Sequence, residues 1–388
     1  MNPRISLIEP SLIRAINDRK KPGDIDLGLG EPTLPPDMEA FEYAMAWTRE
    51  NGSRYAPNAG QAELRELIAA YLGRAEWAIG GLSAGNVCVT VGSEEALYLA
   101  VKTVCDPARH EMLVIEPGFL AYPKIATLEG VATRSVALDP DNDFQPDAGR
   151  VLEAVQPETR LIVLNTPTNP TGRVWPAEEL RKLAAGLAAS GREDVFILAD
   201  EVYGEIHAGQ EYPATIATWH SNTLVAGSLS KSNALTGLRV GWLAGPAEVI
   251  TAAIKVHQFL NTGVATFAQR VAVFLFREGR LGDHAPIYRA NREHMLAAAN
   301  RSGLHVIPPE GGFYGFLRLP SHCTGGSIMG GSISAAERII EDKRVITVPG
   351  VAFGAAGEGW IRISWVAPVE QVEEGIRRIG EWTREELR

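Results

Sequence analysis

From about residue 62 onward the apolar positions of the chain alternate between two periods. "AELRELIAAYLGRA" (62–75) places its leucines, isoleucine and alanines three and four apart and predicts a helix. "NVCVTVG" (86–92) is a short apolar run closed by glycine and predicts a strand, after which "SEEALYLAVKTVC" (93–105) returns to helical spacing. The β-rich runs "EMLVIEP", "VATRSVAL", "TRLIVLNTP", "DVFILADEVY", "TLVAGSLS" and "RVGWLAG" follow, with glycine or proline at their ends. Helical stretches such as "AEELRKLAAGLAAS" separate several of them. Apolar strands alternating with helices imply an α/β fold, in which a large domain holds a mostly parallel sheet sandwiched by helices. The last two runs are too close for a helical crossover and predict an antiparallel addition.

Past about residue 280 the texture changes. "IYRANREHMLAAANRSG" predicts a long charged helix, and "GGFYGFLRLP", "RVITVPG" and "GWIRISWV" predict strands of a smaller α+β unit. The glycine-rich segment 324–332, "TGGSIMGGS", lacks the Gly-Lys-Ser/Thr ending of a phosphate loop and reads as a flexible surface loop.

Composition narrows the classes. A length of 388 residues fits two or three domains, or one large α/β domain with an appendage. The net charge of −10 argues against a nucleic-acid partner, which would call for clustered Lys and Arg. Three scattered cysteines, Cys88, Cys105 and Cys323, offer neither a disulfide framework nor a structural zinc site. Cys88 reads as a buried small hydrophobe. "MNPRISLIEPSL" lacks the apolar core of a signal peptide, and no run approaches eighteen apolar residues, so neither a membrane span nor a metal centre is expected and a cytoplasmic protein is.

In a parallel sheet, ligands gather beyond the carboxyl ends of the strands. Those ends carry an unusual polar set: Gly92, Ser93 and Glu94 in "VTVGSEEAL"; Asn165 and Asn169 in "NTPTNPTG"; Asp200, Glu201 and Tyr203 in "LADEVYGE". Then come Ser228, Ser230, Lys231 and Arg239 in "GSLSKSNALTGLR". Singly each motif is ordinary, since Asn-Pro forms turns and Gly-Ser caps helices. Their order along one chain is what carries information.

With S-x-S-K and an arginine eight residues on, "NPTG", the D-x-x-Y of "ADEVY", "VPGVAFG" and "RIS", the chain resembles the pyridoxal-phosphate-dependent aminotransferases of fold type I, class I/II. The likeness runs from "LGLGEPTLPPD" (27–37) to "GEGWIRISW" (357–365). It implies an N-terminal arm that joins the small domain (1–45), a large cofactor-binding domain (46–282) and a C-terminal small domain (283–388). By resemblance, Lys231 forms a Schiff base with pyridoxal 5'-phosphate, since its amine can attack an aldehyde carbon, and later moves a proton on the substrate. Asp200 resembles the carboxylate that pairs with the pyridine nitrogen and keeps the ring an electron sink. Asn169 and Tyr203 resemble partners of the ring's 3′ oxygen. Phe119, in "EPGFLAYP", falls where an aromatic ring stacks on the cofactor, with Tyr122 as the alternative.

Ser228, Ser230 and Arg239 resemble phosphate ligands, joined by backbone N–H groups at Ser93 and Glu94, with the Glu94 side chain turned away. Tyr55, in "SRYAPNAG", resembles the residue that reaches a neighbouring subunit's phosphate, which implies a homodimer. Arg362 resembles the clamp on a substrate α-carboxylate, with Gly30 letting the N-terminal segment close over it. The implied activity, in amino-acid metabolism, moves an amino group from an L-amino acid to a 2-oxo acid in ping-pong half-reactions, with 2-oxoglutarate the first acceptor to try. Some acidic-substrate members carry lysine at the position of Glu94, so glutamate there argues against aspartate as preferred donor. Carbon–sulfur lyases and aminocyclopropane-carboxylate synthases share almost the same cofactor residues and remain alternatives. A ligand-sensing module of a transcription regulator is the alternative from another class; its DNA-binding domain is not expected in a chain that starts almost at the arm.

Overall fold

The predicted apolar runs become the strands of one seven-stranded sheet. In the computed structural model, which describes residues 2–209, 212–324 and 331–386, these are β1 (Val87–Thr90), β2 (Glu111–Glu116), β3 (Ala132–Ala137), β4 (Thr159–Asn165), β5 (Phe196–Asp200), β6 (Thr223–Ser228) and β7 (Gly241–Ala244). Their order across the sheet is β1-β7-β6-β5-β4-β2-β3. Only β7 runs antiparallel to its neighbours, β1 and β6; the other pairings are parallel.

The runs read as continuous because both faces of the sheet are covered. Met112, Val114, Leu161, Val163, Leu198 and Leu224 pack with Leu97, Ala100 and Ile250 on one side. Their alternates Leu113, Ile115, Ile162, Leu164, Ile197 and Val225 pack with Leu64, Ile68, Leu180 and Leu183 on the other. Cys88 is fully buried in the first layer, and burial pushes its thiol up to about 12. The edge strand β3 is mostly exposed, and its Arg134 pairs with Glu111 of β2 at 2.9 Å, a charge that discourages further strand pairing.

Two helices open at the carboxyl ends of strands and matter most for the site. Helix α1 (Gly92–Val104) follows β1, and the short helix α2 (Leu229–Ser232) follows β6. Beyond residue 280, helix α3 (Ala285–Ser302) packs on the C-terminal helix (Val369–Glu385) beside an antiparallel sheet of β8 (Tyr314–Arg318), β9 (Val348–Pro349) and β10 (Trp360–Ser364).

Two expectations need correction here. "RVITVPG" is not one strand: Val345–Ile346 pairs in parallel with Ile25–Asp26, whereas Val348–Pro349 pairs with β10. The buried Thr347 between them is where the chain changes sheets. The glycine-rich segment also does not end as a loop. Residues 325–330 lie outside the described residues, but Gly331 and Ser332 already open the helix Gly331–Lys343. Ser332 is buried there, its N–H and hydroxyl donating to Glu358 at 2.7 and 3.1 Å.

One backbone contact sets the entrance to α1. A Cβ on Gly241 would lie 2.5 Å from the Gly92 carbonyl carbon and 2.7 Å from the Ser93 nitrogen, so β7 presses directly on that turn. Gly241→Ala should therefore cost about 1–3 kcal/mol, seen as a lower urea midpoint at unchanged slope.

Candidate active site

Three neighbouring parallel strands deliver side chains to one place. Asn165 ends β4, Asp200 ends β5 and Ser228 ends β6, and Asn165 sits opposite Asp200 in register. Asn165 Nδ2 donates to the Asp200 carbonyl at 2.8 Å, and its Oδ1 accepts from the Asn169 N–H at 2.7 Å. The strand end and the Asn-Pro turn are thus locked together.

Asp200 is 4% exposed. Its Oδ2 accepts a 2.7 Å bond from the Tyr122 hydroxyl, while Oδ1 accepts only a long 3.4 Å bond from the Val202 N–H. Burial raises its carboxyl to about 6, against the pull of Tyr122, Val202 and Lys231. Tyr122 itself is buried and pushed well above 10 by burial and by Asp200. With Tyr122 committed to that bond, Phe119, set edge-on to it at 5.7 Å and half-buried, is the ring left beside the opening.

Lys231 lies in α2, one turn beyond Ser228. Its Nζ donates to the Gly30 carbonyl at 3.2 Å and stands 5.9 Å above the Phe313 ring. Gly30 belongs to a segment whose carbonyls line the site in succession. Leu27 O accepts from Ser364 N at 2.7 Å, and Gly28 O accepts from Arg362 Nη2 at 2.6 Å.

Arg362 is 2% exposed on β10. Its Nη1 donates to Asn169 Oδ1 at 3.0 Å, and its guanidinium carbon lies 4.0 Å from the Tyr314 ring centre and 4.9 Å from that of Phe353. Burial lowers its pKa, while Tyr314, Tyr203 and Asp26 oppose the fall. Its Nε is buried with no hydrogen-bond partner among the described residues. A buried cation with a spare donor, on a planar fork, suits a carboxylate.

The corner around α1 has the makings of an anion cradle. Helix α1 begins with no side-chain cap, and its first-turn residues include Ser93 and the exposed Glu94. A Cβ on Gly92 would lie 2.6 Å from Arg239 Nη2, which puts the guanidinium against the turn. Arg239 is exposed and adopts a positive φ of 55°, with Nη1 donating to Thr236 O at 3.0 Å. Ser228 Oγ donates to Val240 O at 2.9 Å and accepts from Ser230 N at 3.0 Å, so it caps α2. Ser230 Oγ, 2.8 Å from Ser228 Oγ, is the hydroxyl with a proton to give.

Other residues of the set sit apart or went unnoticed in the sequence. Tyr55 is 92% exposed. Glu95, next to Glu94, accepts from Val91 N at 2.6 Å and from His257 at 3.0 Å, with Asn261 as a third partner. Burial opposes its ionisation, but these bonds outweigh it and hold the carboxyl below its usual range. Tyr314 was also missed, although the period-2 register of β8 and β10 places it on the same face as Arg362. No group of three or more His, Cys, Asp or Glu suited to a metal occurs among the described residues, and no described helix is long and apolar enough to cross a membrane.

Lysine near a buried carboxylate, and a buried arginine with a spare donor, meet beyond the carboxyl ends of the parallel strands, where such a fold places a ligand. The chain belongs to the family described as aminotransferase class I and II, whose profile matches residues 22–379. It is 32% identical to the aspartate aminotransferase of Pyrococcus horikoshii over 384 residues, covering 97% of this chain and 95% of that protein. It is 31% identical to the aspartate/prephenate aminotransferase of Thermus thermophilus, covering 97% of each. The structure of the Thermus thermophilus aspartate aminotransferase with maleate superposes with a TM-score of 0.88 at 29% identity, covering 98% of this chain and 99% of that one. The chain is accordingly a transaminase, and pyridoxal 5'-phosphate is the cofactor of its family.

Beside Asp200, Glu201 lines a small cavity with Tyr71, Tyr212 and Trp242, and its Oε1 has no hydrogen-bond partner among the described residues. Burial raises its carboxyl from the ordinary 4.5 to about 7, while Thr215 and Arg74 pull it down. The folded chain therefore keeps this proton where the unfolded chain has lost it, and stability falls as pH rises between those two values. Glu201→Gln should remove roughly 3 kcal/mol of that decline, read as flatter urea midpoints between about pH 4.5 and 7.

Proposed function

We propose that the chain moves an amino group from an L-amino acid to a 2-oxo acid in two half-reactions, with pyridoxal phosphate carried as a Schiff base on Lys231. The observation that carries this reading is the placement of the Lys231 amine near the buried Asp200 carboxylate, with Arg362 in the same pocket. The residues suit the cofactor: Asp200 Oδ1 is under-bonded, the N-cap residue Val91 offers the first turn of α1 no side-chain cap, and Arg239 lies against that turn.

Bound there, the cofactor supplies an electron-withdrawing ring whose aldehyde carbon accepts the amino group. The protein does the rest. Arg239, Ser230 and the N–H groups of Ser93 and Glu94 would hold the phosphate, with Ser228 shaping the turn from beneath. Asp200 would favour a proton on the ring nitrogen, because an anion in a dry site favours the cationic partner. Phe119 would offer the ring a stacking face, and Asn169 and Tyr203 would donate towards its 3′ oxygen. Arg362 takes the α-carboxylate with Asn169 beside it, and Gly30 lets the N-terminal segment close against the pocket. The Lys231 amine would hold the cofactor and, once the substrate's amino group had taken its place there, would be free to take up and return the substrate Cα proton.

The exposure of Tyr55, together with Phe259 at 86%, supports a homodimer in which Tyr55 reaches the partner's phosphate. The division into an arm (1–45), a large domain (46–282) and a small domain (283–388) belongs to the same proposal. It is supported by an apolar cluster that joins Ile25 and Leu27 to Met295, Ile361 and Trp382. Cytoplasmic residence is part of it too, supported by three free, buried cysteines. Elimination, cyclisation or ligand sensing draws no support from the relatives, which are named as aminotransferases.

The purified protein should show a visible band that borohydride abolishes, with the label on the Lys231 peptide. Lys231→Ala should lose that band. Arg362→Lys should raise KM for the amino donor about tenfold or more while the band survives. Release of free ammonia alongside the 2-oxo acid, with no amino group passed to an acceptor, from a panel of amino acids would overturn the transaminase assignment.

A further inference from the structure

Tyr314 belongs to none of the motifs that assemble the site, yet it touches three parts of it. It is 4% exposed on β8, and the register pairs its neighbour-but-one Phe316 with Arg362, so ring and guanidinium share one face. The Arg362 guanidinium carbon lies 4.0 Å from the centre of its ring. A Cβ on Gly30 would collide with its hydroxyl, which therefore rests on the backbone whose carbonyl holds Lys231. The Tyr203 ring crosses it edge-to-face at 5.8 Å, and the two hydroxyls interact.

We propose that Tyr314 is a positioning residue with two separable actions: its ring fixes the plane of Arg362 for an α-carboxylate, and its hydroxyl aims that of Tyr203 at the 3′ oxygen of the cofactor. The inference rests on the pyridoxal-phosphate reading above. A desolvated guanidinium gains from an aromatic face, and that contact also restricts its rotation. The hydroxyl pair is constrained by its protons: a Tyr203 hydroxyl that gives its one proton to the 3′ oxygen has only a lone pair left for Tyr314, so Tyr314 is then the donor between the two. A proton given to the Tyr203 oxygen makes Tyr203 a better donor in turn.

Two variants separate the two actions. Tyr314→Phe keeps the ring and removes the hydroxyl; Tyr314→Leu removes both. A donor to the 3′ oxygen matters most when the adjoining nitrogen has lost its proton, so weakening Tyr203 should raise the pH of the visible-band transition. In Tyr314→Phe that shift should be about 0.5 unit or more, with KM for the amino donor within about twofold of the parent. Tyr314→Leu should show the same shift and a KM raised about tenfold, beyond any fall in kcat. An unmoved transition in Tyr314→Phe overturns the hydroxyl's role and the proposal with it. An unmoved KM in a folded, cofactor-loaded Tyr314→Leu overturns the ring's role. Should Tyr314→Leu fail to load, the Tyr314→Phe titration decides alone. A parent protein with no borohydride-sensitive band would instead overturn the underlying reading and this inference together.

Discussion

A carboxylate sunk at the end of the central strand is the constraint around which the site is organised. Asp200 stands where water cannot relieve its charge, and one hydroxyl and one long N–H bond are not enough to hold it below the usual carboxylate range. Such a group is costly unless a cation faces it. The fold puts that cost at the edge of three parallel strands, the one place where a ligand can answer it. Asn165 holds the carbonyl of the same residue, so backbone and side chain are fixed separately.

The surrounding charges follow from that placement. Within a chain of net charge −10 the candidate site draws on three cations, Lys231, Arg239 and Arg362. Each cation has a different neutral counterpart: a glycine carbonyl for Lys231, a threonine carbonyl for Arg239, and an amide oxygen with two aromatic faces for Arg362. Neutral partners hold the cations in position without cancelling them, leaving their charge for anionic groups of a ligand.

Much of this was legible in the sequence, for reasons that differ by residue. The sheet could be read because strands buried on both faces are apolar at every position, and the antiparallel β7 because a short connection admits nothing else. The strand-end residues Asn165, Asp200, Ser228 and Lys231 could be read because they punctuate those runs. Tyr314 and Glu95 could not. An aromatic residue inside "GGFYGF" is indistinguishable from core until the register with β10 is known, and an acid in a helix's first turn reads as a surface cap until His257 and Asn261 arrive from far along the chain. "RVITVPG" misled because a β-rich run carries no sign that it will be divided between two sheets.

That division has a mechanical outcome. Since Ile25–Asp26 is stitched to Val345–Ile346, and Leu27 and Gly28 are bonded to Ser364 and Arg362, residues 25–28 are fastened to the C-terminal unit. The Lys231–Gly30 contact bridges from that assembly to the large sheet. A swing of the C-terminal unit would carry the arginine and its carbonyl rail as one jaw. Arg362 would keep its grip on Gly28 while the lysine let go.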